Sequence, residues 1–242
     1  MKKIAVLFGN NYEGTRNALN GCFNDVDDMG AFLNGRGYEV ETHKEYTKKQ
    51  FLDAIENAKL KIGKGDLLFL QNSSHGTQVE NMDGEEKDGY DEAICPIDLR
   101  TNLITDDELR AMLKHPANVF LFADCCHSGT LNRAVDISNC VDLMAKPKFI
   151  APYEFKGKLF KAKKQTPNTF LCISGCTEAS VSYDAMINGR YNGALTRTAL
   201  DVYTEGMSFE AWYKAIRKAL PNKRYPQEPQ FIGKNSVKPI IL

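Results

Sequence analysis

Asn118-Val-Phe-Leu-Phe-Ala-Asp124-Cys125-Cys126-His127-Ser128-Gly129 is the stretch of this 242-residue sequence that decides its fold. It begins as an apolar run, typical of a buried strand, and ends abruptly in polar and sulfur-bearing side chains. A second apolar run, residues 66–71, ends in Asn-Ser-Ser-His75-Gly. Because ligands bind at the carboxyl ends of strands in open α/β sheets, we expect Cys126 and His75 to face one crevice.

Strands alternate with helices along the rest of the chain. This pattern predicts a mainly parallel sheet that is covered by helices on both faces. The predicted strands are 3–8, 38–42, 66–71, 93–97, 119–123, 169–174 and a short one after residue 230; the predicted helices are 20–34, 47–60, 106–114, 192–204 and 208–220. Residues 77–89 are predicted to be an acidic loop, and the lysine-rich residues 146–164 an exposed connector.

Composition limits the classes of function. Lys plus Arg equals Asp plus Glu at 31 each, so the net charge is zero and indicates neither a nucleic-acid nor a membrane partner. Seven irregularly spaced cysteines favour a reducing compartment over a disulfide framework. The first apolar run, residues 4–8, is too short for a signal peptide or a membrane span. We therefore expect a cytoplasmic protein.

The histidines differ in their fitness as a general base. His43 ends an early strand beside a lysine and His115 ends a helix, so both are interpreted as structural or solvated. His127 adjoins Cys126, but neighbouring side chains on an extended segment point to opposite sides. His75 is therefore the best candidate. A thiol needs such a base, or a helix N-terminus, to become a nucleophile near neutral pH.

The same alternation separates the two adjacent cysteines. Asp124 and Cys126 project to one side of the strand end, and Cys125 projects to the other, where it is expected to pack as a small hydrophobic residue. A carboxylate near a thiol raises the thiol pKa, so Asp124 needs another purpose. Recognition of an Arg or Lys side chain supplies one, and Asp25 is the second candidate carboxylate.

Five sequence blocks stand out along the chain. They are Gly21-Cys22-x-Asn24-Asp25, Ser73-x-His75-Gly76-Thr77-Gln78, Asp91-Glu92 with Pro96-x-Asp98, Thr105-Asp106-Asp107-Glu108-Leu109, and Asp124-Cys125-Cys126-His127-Ser128-Gly129. These blocks occur in the order that is found in metacaspases, and the chain resembles that family of cysteine peptidases. The resemblance implies a caspase-like three-layer α/β sandwich in one domain, 1–242, and a monomer. Its parts would be a large-subunit-like region (1–145), the connector (146–168) and a small-subunit-like region (169–242).

The resemblance also implies an activity, hydrolysis of protein or peptide substrates through an acyl-enzyme. Cys126 matches the nucleophile and His75 the general base, and a backbone carbonyl would orient the imidazole. The N–H groups of Gly76 and Cys126 would form the oxyanion hole. The pocket for the residue before the scissile bond, called S1, would be basic-specific and formed by Cys22, Asp25, Ser73 and Asp124.

A calcium site is the cofactor that the resemblance implies. Asp91, Asp106 and Asp107 match aspartates that bind an activating Ca²⁺ in many metacaspases, and carboxylate oxygens are the ligands that Ca²⁺ prefers. A further aspartate that the family pattern has after the nucleophile lacks a clear counterpart here. Self-cleavage within residues 146–164 is expected as well, since an exposed lysine-rich segment suits a basic-specific pocket.

Three other functions compete with this hypothesis. A zinc or redox site at Cys125 and Cys126 lacks the usual C-x-x-C spacing. The segment from Gly9 to Thr15 is similar to a phosphate-binding loop but lacks its lysine, which argues against nucleotide hydrolysis. The serious alternative is a peptidase-like module that binds partners without cutting them.

Overall fold

The computed structural model describes residues 1–80, 90–99, 102–126, 142, 144–151, 170–177 and 180–233. Twelve strands and five helices are assigned within these ranges. In chain order they are β1 (Lys3–Gly9), α1 (Cys22–Asn34), β2 (Glu39–Lys44), α2 (Lys48–Leu60), β3 (Leu67–Ser73), β4 (Gly76–Glu80), β5 (Tyr90–Ile94), β6 (Ile104–Thr105), α3 (Asp106–Met112), β7 (Asn118–Asp124), β8 (Lys146–Pro147), β9 (Leu171–Ser174), β10 (Tyr183–Ile187), β11 (Arg190–Gly193), α4 (Ala194–Val202), α5 (Phe209–Ala219) and β12 (Gln230–Ile232).

The central sheet has six strands in the order β12-β9-β7-β3-β1-β2. Its neighbours pair in parallel except β12, which runs antiparallel to β9. The predicted α/β sandwich with a mainly parallel sheet is therefore confirmed. The register aligns Gly9, Ser73 and Asp124 at the carboxyl edge of three neighbouring strands, so the residues that follow them meet above one edge of the sheet.

Alternating side chains divide the core into the two layers of the sandwich. On β1, Val6 and Phe8 face one layer together with α2 and α3, and Ala5 and Leu7 face the other with α1, α4 and α5. Trp212 of α5 is fully buried in the second layer, and its indole N–H donates to the carbonyl of Ala199 at 2.7 Å. Burying one such large side chain contributes about 1.5–3 kcal/mol, so the two layers fix the sheet rigidly beneath the site.

Helix termini follow the sequence closely. Thr47 caps α2 in a capping box with Gln50, and Ser208 caps α5 by accepting the Ala211 N–H. Helix α1 begins at Cys22, two residues later than predicted, because Gly21 is its N-cap. No helix in the described part of the chain reaches the length and apolar character that crossing a membrane requires.

One loop prediction and one strand prediction need correction. Residues 77–80 belong to β4, which pairs with β5 in an antiparallel sheet with β6, because Val79 is buried against the core; residues 81–89 lie outside the described ranges. The strand predicted at 93–97 ends at Ile94.

The connector is not uniformly exposed. Residues 146 and 147 form β8 beside β10, and the Lys148 side chain is fully buried because it meets two buried carboxylates. The rest of the connector, 152–168, lies outside the described ranges.

Candidate active site

A polar pocket lies at the carboxyl edge of the central sheet and contains the residues predicted to form S1. Cys22, Asp25, Ser73 and Asp124 are all fully buried there. Ser73 ends β3 and Asp124 ends β7, and the two are register partners. Helix α1 brings Asp25 over this edge, where its Oδ2 accepts the Ser73 hydroxyl at 2.7 Å. Burial raises the pKa of the Cys22 thiol, so this sulfur is a neutral wall of the pocket.

The two carboxylates are held by the segment that leads into α4. Asp25 accepts the Gly193 N–H at 2.8 Å and the Asn192 side-chain amide at 3.1 Å. Asp124 accepts the N–H and the hydroxyl of Thr196, at 3.0 and 2.7 Å. Hydrogen bonds from backbone N–H groups at a helix start stabilise negative charge, which compensates the cost of burying two carboxylates close together.

The cation between these carboxylates belongs to the chain itself. Lys148 Nζ lies 3.1 Å from Asp25 Oδ2 and 3.3 Å from Asp124 Oδ1, and it donates to the Ser73 hydroxyl at 2.9 Å. Burial alone lowers the pKa of Lys148, but Asp124 and Asp25 outweigh it and the net direction is upward. The ammonium is therefore charged, and its donors have oxygen partners.

Glycine at position 193 makes room for this ammonium. A Cβ there would lie 2.0 Å from Asp124 Oδ2 and 2.3 Å from Lys148 Nζ, so any larger residue would fill the pocket.

The backbone carbonyl of Lys148 accepts two hydrogen bonds. The donors are the N–H groups of Gly76, at 3.1 Å, and of Cys126, at 3.2 Å. These are the two N–H groups that are predicted from the sequence to form the oxyanion hole. Gly76 and Cys126 approach so closely that a Cβ on Gly76 would lie 1.7 Å from the Cys126 carbonyl oxygen, which explains the need for glycine.

His75 follows the end of β3 and is 4% exposed. Its Nε2 lies 2.8 Å from the backbone carbonyl of Asn17, so a backbone carbonyl orients the ring, as the sequence analysis expects. Burial lowers the pKa of His75 to about 4, with the Asn17 and Lys148 carbonyls acting in the opposite direction. The imidazole is therefore neutral, and the Lys148 carbonyl lies near it.

The two adjacent cysteines lie in different surroundings. Cys125 packs in the core layer of α2 and α3, 3.5 Å from the Asn72 amide nitrogen. Cys126 is buried in a separate cluster with Cys176 and Tyr183, where its sulfur accepts the Ser182 N–H at 2.7 Å and lies 3.5 Å from the Ser182 carbonyl. Burial raises the pKa of both thiols, so both are protonated in this state. A direct contact between Cys126 and His75 is not among the hydrogen bonds of the described residues.

The residues predicted to bind calcium lie on the small sheet of β4, β5 and β6 and at the start of α3. Burial raises the pKa of Asp106 to about 6, with Asp107, Glu92 and Asp91 adding to the effect. Arg110 pairs with Asp106 and, at 2.9 Å, with Asp107. Within the described residues no group of three or more His, Cys, Asp or Glu side chains has the arrangement of a metal site.

Comparison with known proteins shows to which family a chain with this arrangement belongs. The caspase domain family matches residues 2–240 of the chain. The chain belongs to the caspase-domain family. It is 29% identical to metacaspase-1 of Schizosaccharomyces pombe and 30% identical to metacaspase-1B of Aspergillus oryzae, each over 95% of the chain. These alignments span 66% and 67% of the relatives' own lengths, so the metacaspases are longer proteins.

A solved structure has a similar fold. The crystal structure of protein GSU0716 from Geobacter sulfurreducens matches with a TM-score of 0.74 and 30% identity, over 96% of this chain and 93% of that one. The metacaspase relatives place the chain in the metacaspase family. The predicted family is thereby confirmed.

Several residues of this caspase-domain site were not found by sequence analysis. Ser182, Asn192 and Thr196 are far from Cys126 along the chain, and no local motif marks them. Lys148 was assigned to an exposed connector because seven lysines crowd residues 146–164. No local signal separates Lys148 from the other lysines, since Lys158 is likewise followed by two apolar residues.

Proposed function

We propose that the chain is a cysteine endopeptidase that cleaves after Arg or Lys, with Cys126 as nucleophile and His75 as general base. The observation that carries the proposal is the dual placement of Lys148: its ammonium lies between Asp25 and Asp124 while its carbonyl accepts from Gly76 and Cys126. A bound substrate needs its basic side chain and its scissile carbonyl in these two positions at once. This coincidence supports a basic residue before the scissile bond.

The chemistry follows from these positions. His75 would take the thiol proton, Cys126 Sγ would attack the carbonyl carbon, and the N–H groups of Gly76 and Cys126 would stabilise the developing oxyanion. His75 would then protonate the departing amine, and water would hydrolyse the thioester. Asn17 would keep the ring oriented through its carbonyl, so the catalytic unit is a dyad without a carboxylate.

Calcium activation is part of the proposal. Asp91, Asp106 and Asp107 would hold Ca²⁺, whose charge would relieve the repulsion that contributes to the raised pKa of Asp106. The donors are hard oxygens that suit this ion. Arg110 already pairs with two of them, so the ion would have to displace its guanidinium.

Self-processing, protein or peptide substrates and a cytoplasmic location complete the proposal. Lys148 in the pocket supports cleavage of the chain's own lysine-rich segment, and the zero net charge supports protein or peptide substrates over nucleic acid or membranes. No disulfide links the six cysteines in the described residues, which supports a reducing, cytoplasmic setting. We propose a monomer, in keeping with the family resemblance.

A catalytically silent binding module is the second candidate. It is favoured by the Cys126 sulfur, which contacts Ser182 and has a raised pKa. Fluorogenic peptides ending in Arg, Lys or Asp, incubated with and without Ca²⁺, separate the two. We expect Arg and Lys peptides to be cut and Asp peptides to be spared, since an anion is repelled by Asp25 and Asp124. Absence of cleavage under every condition, with intact folding, would favour the binding module.

A further inference from the structure

A second pocket lies beside the candidate active site. It is a cavity of about 870 Å³ between three segments: residues 12–17, which follow β1, Glu45, which follows β2, and residues 97–99, which lie beyond β5. We call it the β1-loop pocket. Among the described residues that line it, none belongs to S1, so the two pockets are distinct.

The β1-loop pocket shares two residues with the surroundings of His75. Asn17 lines the pocket, and its backbone carbonyl lies 2.8 Å from His75 Nε2. Tyr12 lines it as well; its hydroxyl accepts the His75 N–H at 3.1 Å, and the centroids of the two rings are 4.9 Å apart. The pocket therefore begins one side chain away from the proposed general base.

The chain direction at the site leads from the proposed oxyanion hole towards this pocket. The Lys148 carbonyl accepts the Gly76 N–H, and two residues later the Ile150 N–H donates to the Gly76 carbonyl at 3.0 Å. The Ile150 side chain is buried in a cluster with Tyr12, against which Leu99 packs. A peptide that binds in the same direction continues from the oxyanion hole towards Tyr12 and Leu99. At about 3.3 Å per extended residue, its second to fourth residues after the scissile bond would reach the pocket.

The lining of the β1-loop pocket carries more negative than positive charge. Among its described residues, Glu13, Glu45 and Asp98 supply three carboxylates and Arg16 supplies one guanidinium. In the described part of the chain, none of these three carboxylates forms an ion pair. The carboxylates of S1, in contrast, already face an ammonium. The β1-loop pocket therefore offers uncompensated negative charge to a cationic ligand.

Neutral donors hold two of these carboxylates in place. Glu45 Oε1 accepts the N–H groups of Asn11, at 3.2 Å, and of Glu13, at 3.4 Å. Asp98 accepts the Lys48 N–H at 2.9 Å. Burial raises the pKa of Glu45 despite these hydrogen bonds, and Glu13 adds to the increase. A cation beside Glu45 would therefore be attracted by both carboxylates.

Apolar surface lies beside the carboxylates. Tyr12, Ile97 and Leu99 line the same pocket, and Ile97 is 39% exposed, which is unusual for a large apolar side chain in this fold. Lys and Arg side chains combine an apolar stem with a charged end, so they match apolar surface that is next to carboxylates.

Two residues of the pocket have strained backbones. Tyr12 and Glu45 have φ of 52° and 51°, in the left-handed region that residues other than glycine rarely adopt. Among the described residues only Asn188, in the turn between β10 and β11, shares this feature. Such conformations persist where the surrounding structure over-determines them. The fold therefore holds both sides of the pocket in one geometry.

We infer that the β1-loop pocket binds a Lys or Arg side chain of the substrate, at one of the second to fourth positions after the scissile bond. The inference rests on the proposed function and extends it, because S1 takes the basic residue before the bond and this pocket takes another beyond it. The substrates are then segments with two basic residues a few positions apart, anchored on either side of the bond that is cut.

Internally quenched peptides test this preference on the purified full chain with Ca²⁺. Each has Arg before the bond and alanines around it, with Lys, Gln or Glu at the second, third or fourth position after it. Mass spectrometry identifies the products, so that only cleavage after the Arg is measured. We expect kcat/KM for the Lys peptide to exceed that for the Gln peptide on the order of fivefold at one of these positions, and the Glu peptide to be the poorest. The preference should shrink as salt is raised, because salt screens charges near the surface.

Two substitutions remove charge from the pocket and keep its hydrogen bonds. In Glu45→Gln and Asp98→Asn an amide oxygen remains to accept the N–H groups that each carboxylate accepts. We expect the kcat/KM of the Lys peptide, divided by that of the Gln peptide, to fall towards one in either variant. A shift of Asn17 and His75 would alter both peptides equally and cancels in this quotient. Asp53→Asn, which removes an exposed carboxylate of α2 outside the pocket, is the control and should keep the wild-type quotient.

A coumarin substrate that ends in Arg separates two ways of failing, because it has no residue after the scissile bond. If the enzyme cleaves it but the quotient is one at all three positions, or stays at the wild-type value in both variants, the inference is overturned and the proposed function stands. A preference that does not change with salt would also overturn the inference, since apolar contact alone would then explain it. If a folded chain cleaves neither the coumarin substrate nor any peptide, the proposed function fails and the inference fails with it.

Discussion

Asp124 accepts two hydrogen bonds from Thr196, one from the backbone N–H at 3.0 Å and one from the hydroxyl at 2.7 Å. Thr196 is the third residue of α4, so the carboxylate that ends β7 also caps the helix start on the far side of the pocket. This contact joins β7 to the carboxyl-terminal region. The charge that we propose to recognise a basic side chain is therefore held in place by the fold.

Thr196→Val should weaken recognition of basic substrates. It removes the hydroxyl donor while the N–H bond and the side-chain volume remain. Because hydrogen bonds to charged groups contribute about 1.5–3 kcal/mol, we expect kcat/KM for Arg peptides to fall on the order of tenfold or more, mainly through KM. Steady-state kinetics on processed enzyme measure this. Thr198→Val, in the same helix and only partly buried, is the control, and equal losses in both variants would contradict the role of Thr196.

Cys126→Ala should abolish cleavage, whereas Cys125→Ala should keep most of it. The two sulfurs lie on opposite sides of the strand end, Cys125 in the core and Cys126 beside Ser182. Removing a nucleophile costs several orders of magnitude in rate. Peptidase rates of both variants, with thermal melts to confirm folding, check this. Activity that survives in Cys126→Ala would show that the wrong sulfur was chosen.

Much of this arrangement could be predicted from local patterns. The apolar run of β7 and its abrupt end predicted a strand edge with reactive groups, and the parallel register brings Ser73 and Asp124 together there. Alternation along the strand end separated Cys125 from Cys126. These features depend on period two and on strand direction, which a sequence displays directly.

The occupant of the pocket could not be predicted in this way. Lys148 is one of many lysines in its segment, and its burial depends on Asp25 and Asp124, which lie 123 and 24 positions away. Strand β8 has only two residues and gives no periodic signal. The helix start that holds both carboxylates is equally remote from them in sequence. Such contacts are tertiary, and propensity carries no information about them.

Acid should weaken the binding of basic substrates through Asp25. Burial raises the pKa of this carboxyl from 3.8 to about 6, and Lys148 opposes the increase. The carboxylate is ionised above its pKa and neutral below it, and a pocket that Lys148 has left lacks the lowering effect of that ammonium, so attraction of a cationic side chain is lost as pH falls towards about 6. We expect the kcat/KM of wild type for Arg peptides, divided by that of Asp25→Asn, to fall towards one as the pH is lowered through this range.

The ratio isolates the effect of Asp25, because any titration of Cys126 and His75 changes kcat/KM in both proteins and cancels. A ratio that stays constant with pH would contradict the assignment.

Gly193→Ala should block the pocket without unfolding the chain. The backbone of Gly193, with φ −66° and ψ 133°, is open to any residue, but the added Cβ would overlap Asp124 and the bound ammonium. We expect cleavage of Arg and Lys peptides to fall by roughly a hundredfold or more, as expected when a group intrudes on a positioned substrate. Gly63→Ala is the control, because a Cβ at Gly63 meets nothing within 4 Å. Wild-type kinetics in Gly193→Ala would exclude this wall of S1.

Arg110 should compete with calcium. Its guanidinium pairs with Asp106 and Asp107, two of the proposed ligands. It therefore neutralises part of the negative charge that a bound cation would neutralise. Arg110→Gln leaves these carboxylates facing Glu92 and Asp91 without that charge, which raises their demand for a cation. We expect half-maximal activation at a Ca²⁺ concentration several-fold below that of wild type.

Asp107→Ala should act in the opposite direction, because it removes a ligand and leaves Arg110 paired with Asp106. Peptidase rate across a Ca²⁺ titration, together with calorimetric Ca²⁺ binding, gives both midpoints. Lys114→Gln, which removes an exposed positive charge just after the same helix, controls for net charge and should leave the midpoint near that of wild type. A higher midpoint in Arg110→Gln would mean that the guanidinium supports the site, and rates unaffected by both Ca²⁺ and chelator in all variants would remove calcium from the proposed mechanism.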